Sequence, residues 1–186
     1  MIIRTERLIL REVDPERDFD GWARAMADEN TVRYLGVQPM SRAEAWRNMA
    51  LVIGHWAIRG YGSFSVEDRK TGDWVGRVGP WFPHGWPAPE VGWTIAPDRV
   101  GRGYATEAAR AALDFAFDGL GWTQVIHIIM KGNEPSIAVA RKLGSTLLRE
   151  QQGIPGITDQ PVLIYGQATG TARPELSCLP GPSAPA

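Results

Sequence analysis

The sequence predicts a single α/β (α+β) domain organised around one strand that leads almost directly into a helix. Val91, Trp93 and Ile95 alternate with Glu, Gly and Thr, which is the period-two pattern of a strand that ends at residues 96–97. From Ala105 onward, small apolar residues recur at helical spacing and indicate an amphipathic helix. The 186 residues are 44% hydrophobic, which is enough for one domain with a sizeable core.

The N-terminal third of the chain predicts one strand followed by two helices. Residues 8–11 are an apolar run typical of a strand. Asp14 followed by Pro15 is typical of a helix start, because the Asp side chain caps free amides and proline fits the first helical position. Ser41 and Glu44 have the spacing of a capping box and start the second helix. The buried stripe of that helix is predicted at Trp46, Met49, Ala50 and Ile53.

The middle of the chain predicts an antiparallel hairpin before the central strand and helix, and a buried strand after them. Apolar residues at 64–66 and 74–78 flank a turn at 71–72, which indicates the hairpin. The dense aliphatic run at 125–130 predicts a strand covered on both faces. We expect it to be the neighbour of the strand at 90–95.

The last third predicts a helix, two closing strands and a tail. Asn133 is the expected cap of the helix, which ends at Gly144. Two strands are predicted at 145–149 and 162–166, with a turn-rich segment between them. We place the domain at residues 1–167. Residues 168–186 are rich in Pro, Gly and Ser without apolar periodicity, and this composition predicts a disordered tail.

The net charge indicates which kinds of partner the protein binds, and the cysteine content indicates the compartment in which it works. The net charge of −1 and the pI of about 6.3 give no indication of binding to nucleic acid or to an anionic membrane. Cys178 is the single cysteine, which rules out an intrachain disulfide and a cysteine-based zinc site and suits a reducing cytoplasm. Residues 1–5 lack the apolar stretch of a signal peptide. We expect a cytoplasmic protein with no metal.

A glycine pair lies between the central strand and its helix. In Gly101-Arg102-Gly103, two glycines allow consecutive N–H groups to turn around an anion, where the free amides and positive end of a helix also point. This pattern predicts a pyrophosphate cradle, although the same spacing also suits a tight connection. Thr106 occupies the place of the third glycine of a dinucleotide fingerprint, so that motif is not met.

The stretch Val100-Gly101-Arg102-Gly103-Tyr104-Ala105 resembles motif A of the GNAT superfamily of N-acetyltransferases, whose core is Q/R-x-x-G-x-G/A. Val100 departs from it by lacking a polar side chain. The order of elements over residues 2–167 also looks like the GNAT fold, which implies a mixed, twisted sheet of six to seven strands, about four flanking helices and splayed central strands. Residues 4–11, residues 103–108 and Asn133-x-x-Ser136 are similar to the RimJ/RimL type, which acetylates N-terminal amines of ribosomal proteins.

The resemblance implies acetyl-CoA as the cofactor and acetyl transfer to a primary amine by direct attack in a ternary complex. The amine belongs either to a protein N-terminus or to a small molecule. The residues implied in binding coenzyme A are Trp93, Thr94, Ile95, Gly101, Arg102, Gly103, Tyr104, Ala105, Thr106, Asn133 and Ser136. A non-catalytic acyl-CoA-binding module of the same fold is the alternative, favoured by the departures at Val100 and Ala140.

Three residues are candidates for proton transfer. Glu90, at the start of the central strand, is the expected general base, acting directly or through a water, and its alternative role is a salt-bridged or solvent-facing residue. His84 is the rival base, whereas His127 alternates with isoleucines in a buried strand and is expected to be structural. Ser136 replaces the tyrosine acid of many GNAT members, whose position is Ala140 here, although it could also simply cap its helix.

The acceptor pocket is predicted from aromatic residues. Trp74, Trp81, Phe82, Trp86 and Trp93 lie in or beside one hairpin and loop. They form either a pocket wall or a cover for an exposed sheet edge or a homodimer surface. The expected substrate-binding residues are Tyr34, Trp81, His84 and Trp86.

Overall fold

A computed structural model describes residues 1–169 as eight strands and five helices. The strands are β1 (Ile2–Arg4), β2 (Leu8–Arg11), β3 (Phe64–Asp68), β4 (Trp74–Trp81), β5 (Glu90–Ile95), β6 (Gln124–Met130), β7 (Thr146–Ile154) and β8 (Thr158–Ala168). The helices are α1 (Pro15–Ala27), α2 (Glu29–Val32), α3 (Arg42–Arg59), α4 (Tyr104–Asp114), which continues into a π-helical turn (Phe115–Gly119), and α5 (Glu134–Lys142).

The strands form one mixed sheet in the order β1-β2-β3-β4-β5-β6-β8-β7. Every neighbouring pair is antiparallel except β5 and β6, which are parallel and joined through α4. The predicted mixed sheet with parted central strands is confirmed. None of the helices in the described part of the chain has the length and apolar character that a membrane crossing requires.

Helix ends are set by local side chains, as the sequence predicts. The Asp14 carboxylate accepts hydrogen bonds from the N–H groups of Glu16 and Arg17 at the start of α1. Ser41 and Glu44 form a reciprocal capping box at the start of α3. These caps satisfy amides that have no partner inside the helix, so they fix where each helix begins.

Helices cover the two faces of the sheet. Ala108 and Ala112 of α4 pack against Val91 of β5 on one face. Trp22 of α1 and Met49 of α3 pack with Trp74 of β4 on the other. The central strands are therefore covered on both faces, and their C-terminal ends diverge.

The pattern-based prediction of the α3 stripe is partly wrong. Met49 is buried as expected, but the Trp46 side chain is 54% exposed. The buried stripe runs through Ala45, Met49, Val52 and His55. The helix carries apolar side chains on all of its faces, so the spacing of these residues did not identify the face that meets the sheet.

Two elements and the ends of the closing strands differ from the sequence predictions. β1 and α2 were not predicted, and the closing strands continue through the predicted turn region until Ile154 pairs with Thr158. The sheet thus has eight strands instead of six to seven. Ala168, the first residue of the predicted tail, still belongs to β8, and residues 170–186 lie outside the described part of the chain.

Candidate functional site

A gap opens between β5 and β6. The two strands pair at a single register position, Glu90 opposite Ile126, where the Ile126 N–H donates to the Pro89 carbonyl at 2.8 Å. Beyond that position the strands diverge. We call the space between their C-terminal halves the gap.

The main chain of β5 faces the gap at alternate residues. The Ala96 N–H donates to the Val75 carbonyl of β4 at 2.8 Å, so even-numbered residues of β5 direct their main-chain groups toward β4. The main-chain groups of Trp93 and Ile95 therefore face the gap. Thr94 is opposite Arg77 of β4, and its main chain is turned away from the gap, unlike the other two predicted pantetheine-binding residues.

An anion cradle lies at the C-terminal end of β5. Gly101 and Gly103 adopt left-handed φ angles of 77° and 80°, and Gly103 is the N-cap of α4. No side chain caps this helix, so the N–H groups of Tyr104, Ala105 and Thr106 have no partner within it. A Cβ on Gly101 would have no atom within 4 Å, so the loop is open to a ligand. These amides fit the diphosphate of coenzyme A.

The N-terminal phrase of the chain holds the cradle in place. The Glu107 carboxylate of α4 accepts hydrogen bonds from the Thr5 hydroxyl at 2.6 Å, from the Arg7 N–H at 2.8 Å and from the Arg7 guanidinium at 2.7 Å. The Arg7 guanidinium also donates to the Arg102 carbonyl at 2.9 Å. The sequence contained both phrases, but their contact spans 100 residues and was not predicted.

The Tyr104 side chain is committed to the core. Its hydroxyl donates to the Asp68 carboxylate at 2.7 Å, and that bond lowers the pKa of Asp68. The Arg7 guanidinium lies 4.7 Å from the centre of the Tyr104 ring. Tyr104 therefore contributes to the cradle through its main-chain N–H.

Glu90 is a buried carboxylate at the closed end of the gap. Its side chain accepts a hydrogen bond from the Ile128 N–H at 3.0 Å and another from the Trp86 indole at 2.7 Å. Burial raises the pKa of Glu90 to about 7, although both hydrogen bonds and the charge of Arg77 act in the opposite direction. The residue is 8% exposed and forms no salt bridge within residues 1–169, so its geometry matches neither alternative role.

The space beside the Glu90 carboxylate is open. Gly92 lies two residues further along β5 on the same face. A Cβ at Gly92 would meet only the Glu90 carboxyl group, with Oε1 at 3.8 Å. A small group can therefore approach this carboxylate from the side of Gly92.

The start of α5 lies against β5. The Asn133 side chain accepts a hydrogen bond from the Ser136 N–H at 3.2 Å, so Asn133 is the predicted cap and Ser136 is not. The Ser136 hydroxyl oxygen accepts a hydrogen bond from the Trp93 indole at 3.2 Å. No acceptor for the Ser136 hydroxyl hydrogen lies in the described part of the chain, so that hydrogen is available to a ligand.

The aromatic residues predicted as one cluster are divided between the two faces of the sheet. Trp81 and Trp86 meet edge to face at 6.4 Å beside Glu90. Trp93 lies on the opposite face, 5.0 Å from His127, and Trp74 packs on Trp22. The candidate acceptor wall is therefore Trp81 and Trp86.

His55 supports this wall and was missed by the sequence analysis. Its ring stacks on Trp81 with centroids 4.3 Å apart. His55 Nε2 accepts from the Phe82 N–H at 3.3 Å, so Nδ1 carries the proton and donates to the Tyr61 carbonyl at 2.9 Å. Burial lowers the pKa of His55, which favours the neutral form of the ring. A histidine within the apolar run at 49–58 was the available signal, because a polar ring in such a run needs partners when it is buried.

The other two predicted acceptor residues differ in placement. His84 is exposed, and none of its atoms forms a hydrogen bond in the described residues. The Tyr34 hydroxyl donates to the Gly132 carbonyl at 3.2 Å, next to the start of α5. Within residues 1–169 no group of three or more His, Cys, Asp or Glu side chains could hold a metal ion.

Known proteins resemble this chain in sequence. Residues 7–146 match the family model described as the acetyltransferase (GNAT) domain. The chain is 30% identical over 146 residues to the uncharacterized N-acetyltransferase YnaD of Bacillus subtilis, an alignment that covers 77% of this chain and 82% of YnaD. It is 34% identical over 118 residues to the uncharacterized protein YkkB of Bacillus subtilis, which covers 60% of this chain and spans only 64% of YkkB.

Solved structures share the fold. An acetyltransferase from Agrobacterium tumefaciens superposes with a TM-score of 0.77 at 29% identity, covering 90% of this chain and 94% of that one. RimL, a ribosomal L7/L12 α-N-protein acetyltransferase crystallised with coenzyme A, superposes with a TM-score of 0.72 at 17% identity, covering 90% of this chain and 98% of RimL, and shows the fold alone. With its glycine cradle, its parted central strands and the match over residues 7–146, this chain belongs to the GNAT acetyltransferase family and uses acetyl-CoA for N-acetyl transfer.

Proposed function

We propose that this chain moves an acetyl group to a primary amine by direct attack in a ternary complex, with Glu90 as the general base. One observation carries this proposal. A buried carboxylate with a pKa of about 7 lies at the closed end of the gap, with open space on its Gly92 side. A base whose pKa is near the working pH is the efficient choice for removing a proton from an ammonium group.

The cradle and the gap hold the acyl donor. Acetyl-CoA supplies an acetyl group activated as a thioester. The free amides from Gly101 to Thr106 bind its diphosphate, and the main-chain groups of Trp93 and Ile95 bind the pantetheine arm. One of these N–H groups stabilises negative charge on the carbonyl oxygen, a contact whose loss typically raises a barrier by about 2.7–4 kcal/mol.

Glu90 takes the proton of the incoming ammonium, directly or through one water. The Ile128 N–H and the Trp86 indole hold the carboxylate in one orientation and stabilise its charged form. The amine approaches from the side of Gly92. Once that proton has left, the neutral nitrogen bonds to the acetyl carbon and the carbon–sulfur bond breaks. The second proton that the nitrogen loses passes to the departing thiolate.

Ser136 assists the departing sulfur. Its oxygen is fixed by the Trp93 indole, and its N–H by Asn133, so its hydroxyl hydrogen is free to donate. A thiol with a pKa near 8.5 leaves tolerably as the anion. Ser136 therefore contributes less than the main-chain N–H at the carbonyl oxygen.

The acceptor is either a small-molecule amine or a protein N-terminus of the kind that RimJ/RimL enzymes use. Trp81 and Trp86 offer an aromatic wall beside Glu90, which suits a cationic amine because the ring faces attract positive charge. Tyr34 lies beside the start of α5, where its hydroxyl donates to the Gly132 carbonyl. His84 is exposed and contacts only acceptors that extend outward.

The test is a screen of thiol release from acetyl-CoA against N-terminal peptides, amino acids, polyamines and aminoglycosides, with the acetylated product identified by mass spectrometry. Gly92→Ala places a methyl group 3.8 Å from the Glu90 carboxylate and is expected to raise the KM for the amine. Gly54→Ala is the matched control, because a Cβ there meets nothing within 4 Å. Tight acetyl-CoA binding without transfer to any amine contradicts the proposal and favours the non-catalytic module.

A further inference from the structure

One rung of the sheet ladder is missing beside the gap. The Ile126 N–H bonds to the Pro89 carbonyl, so in a continued parallel ladder the Ile128 N–H would bond to the Val91 carbonyl. Instead, the Ile128 N–H donates to the Glu90 carboxylate at 3.0 Å. The Val91 carbonyl accepts a hydrogen bond from His127 Nδ1 at 2.6 Å. Two side chains thus satisfy both halves of the missing rung.

His127 is suited to this place because its protonation is fixed. Nδ1 faces a carbonyl and must carry the hydrogen, which leaves Nε2 as an acceptor. The Ser145 hydroxyl lies 2.9 Å from Nε2, and the Gln167 amide donates to the Ser145 oxygen at 2.9 Å. The chain of donors therefore runs from Gln167 through Ser145 and His127 to the Val91 carbonyl. Burial lowers the pKa of His127 to about 4, so the ring is neutral.

The His127 imidazole is also buried where β5 and β6 separate. His127 is 1% exposed, and its ring lies 5.0 Å from the Trp93 ring. Trp93 in turn donates to the Ser136 hydroxyl, so the same packed group extends from β6 across the gap to α5. Without a donor at this point, the Val91 carbonyl would be buried without a partner, or β5 and β6 would close on each other to restore the rung.

We propose that His127 is a positioning residue that keeps β5 and β6 apart and thereby sets the width of the gap that receives the acyl arm. This inference rests on the proposed function. Glu90, the proposed base, accepts the Ile128 N–H, and His127 donates to the Val91 carbonyl. The two residues together replace the one hydrogen bond that is missing between β5 and β6.

A matched pair of substitutions in the full chain tests the proposal. His127→Asn places an amide nitrogen near the position of Nδ1 and keeps a donor for the Val91 carbonyl. His127→Gln places it near the position of Nε2 and loses that donor. We expect His127→Gln to raise the calorimetric Kd and the KM for acetyl-CoA about tenfold, the order expected for one buried hydrogen bond, with the amine KM unchanged. His127→Asn stays within about threefold of wild type.

Two results overturn the inference. One is unchanged acetyl-CoA affinity in a folded His127→Gln variant, and the other is an equal loss in both variants. If His127→Gln does not fold, nuclear magnetic resonance of the wild-type chain decides. A scalar coupling from His127 Nδ1–H to the Val91 carbonyl, kept when acetyl-CoA is added, supports the proposal, and an Nε2–H tautomer contradicts it. Absence of binding and transfer in wild type defeats the proposed function instead.

Discussion

Replacing Trp86 by Phe removes one hydrogen bond from the Glu90 carboxylate and keeps most of the aromatic wall. The Trp86 indole donates to Glu90 at 2.7 Å and lowers the pKa of a group that burial has raised to about 7. A hydrogen bond to a charged group contributes about 1.5–3 kcal/mol, and 1.36 kcal/mol corresponds to one pKa unit. Trp86→Phe therefore raises the pKa of Glu90 by about one to two units.

The pH dependence of kcat/KM measures this change, because its acid limb reports the base in the free enzyme. With one amine throughout, the limb of Trp86→Phe moves to higher pH relative to wild type. Trp81→Phe is the control, since Trp81 stacks on His55 and does not bond to Glu90. An unmoved limb in Trp86→Phe, or an equal displacement in Trp81→Phe, refutes the reasoning that this hydrogen bond tunes the proposed base.

Three further predictions concern the cradle and the interrupted rung. Gly101→Ala and Gly72→Ala both force alanine into a left-handed conformation at about 1–2 kcal/mol of stability, but only Gly101→Ala weakens acetyl-CoA binding in calorimetry. Tyr104→Phe lowers the melting temperature while acetyl-CoA affinity stays within about twofold, since only the main chain of that residue serves the cradle; a large loss of affinity contradicts this. The third prediction concerns the pH dependence of the unfolding free energy. Because its pKa is raised in the folded chain, Glu90 lowers the unfolding free energy as pH rises from 4.5 to about 7, whereas His127, whose pKa is lowered, raises it between pH values of about 4 and 6.5. Glu90→Gln leaves only the effect of His127, so its unfolding free energy rises with pH by about 3 kcal/mol, and His127→Asn leaves only the effect of Glu90, so its unfolding free energy falls by a similar amount; denaturant titration that finds a flat profile in both variants opposes the assignment.

Local chemistry explains the parts of the fold that the sequence predicts. Asp14, Ser41 and Asn133 each cap a helix through contacts within three residues. β1 was not predicted because three residues, of which two are exposed, carry too little periodicity. The four-residue helix α2 is below the length that a repeat can reveal. The stripe of α3 was misassigned because only packing selects one apolar face among several.

The candidate site likewise has one part that a local pattern predicts and other parts that depend on the whole fold. The cradle follows from two glycines before a helix, which is a local pattern. The environment of Glu90 depends on the N–H of Ile128, 38 residues away, and could not be obtained from spacing. His127 was predicted to be structural from its alternation in a buried strand, and it is buried there. Its bond to the Val91 carbonyl depends on where two strands separate, which is a property of the whole sheet.

Glu90→Gln tests the central claim most directly, because glutamine can still accept the Ile128 N–H but cannot take a proton. We predict that acetyl-CoA affinity, measured by calorimetry, remains within about threefold of wild type, while kcat/KM for acetyl transfer falls by roughly 10²–10⁴. Transfer by Glu90→Gln at the wild-type rate contradicts the assignment of Glu90 as the base of this GNAT acetyltransferase.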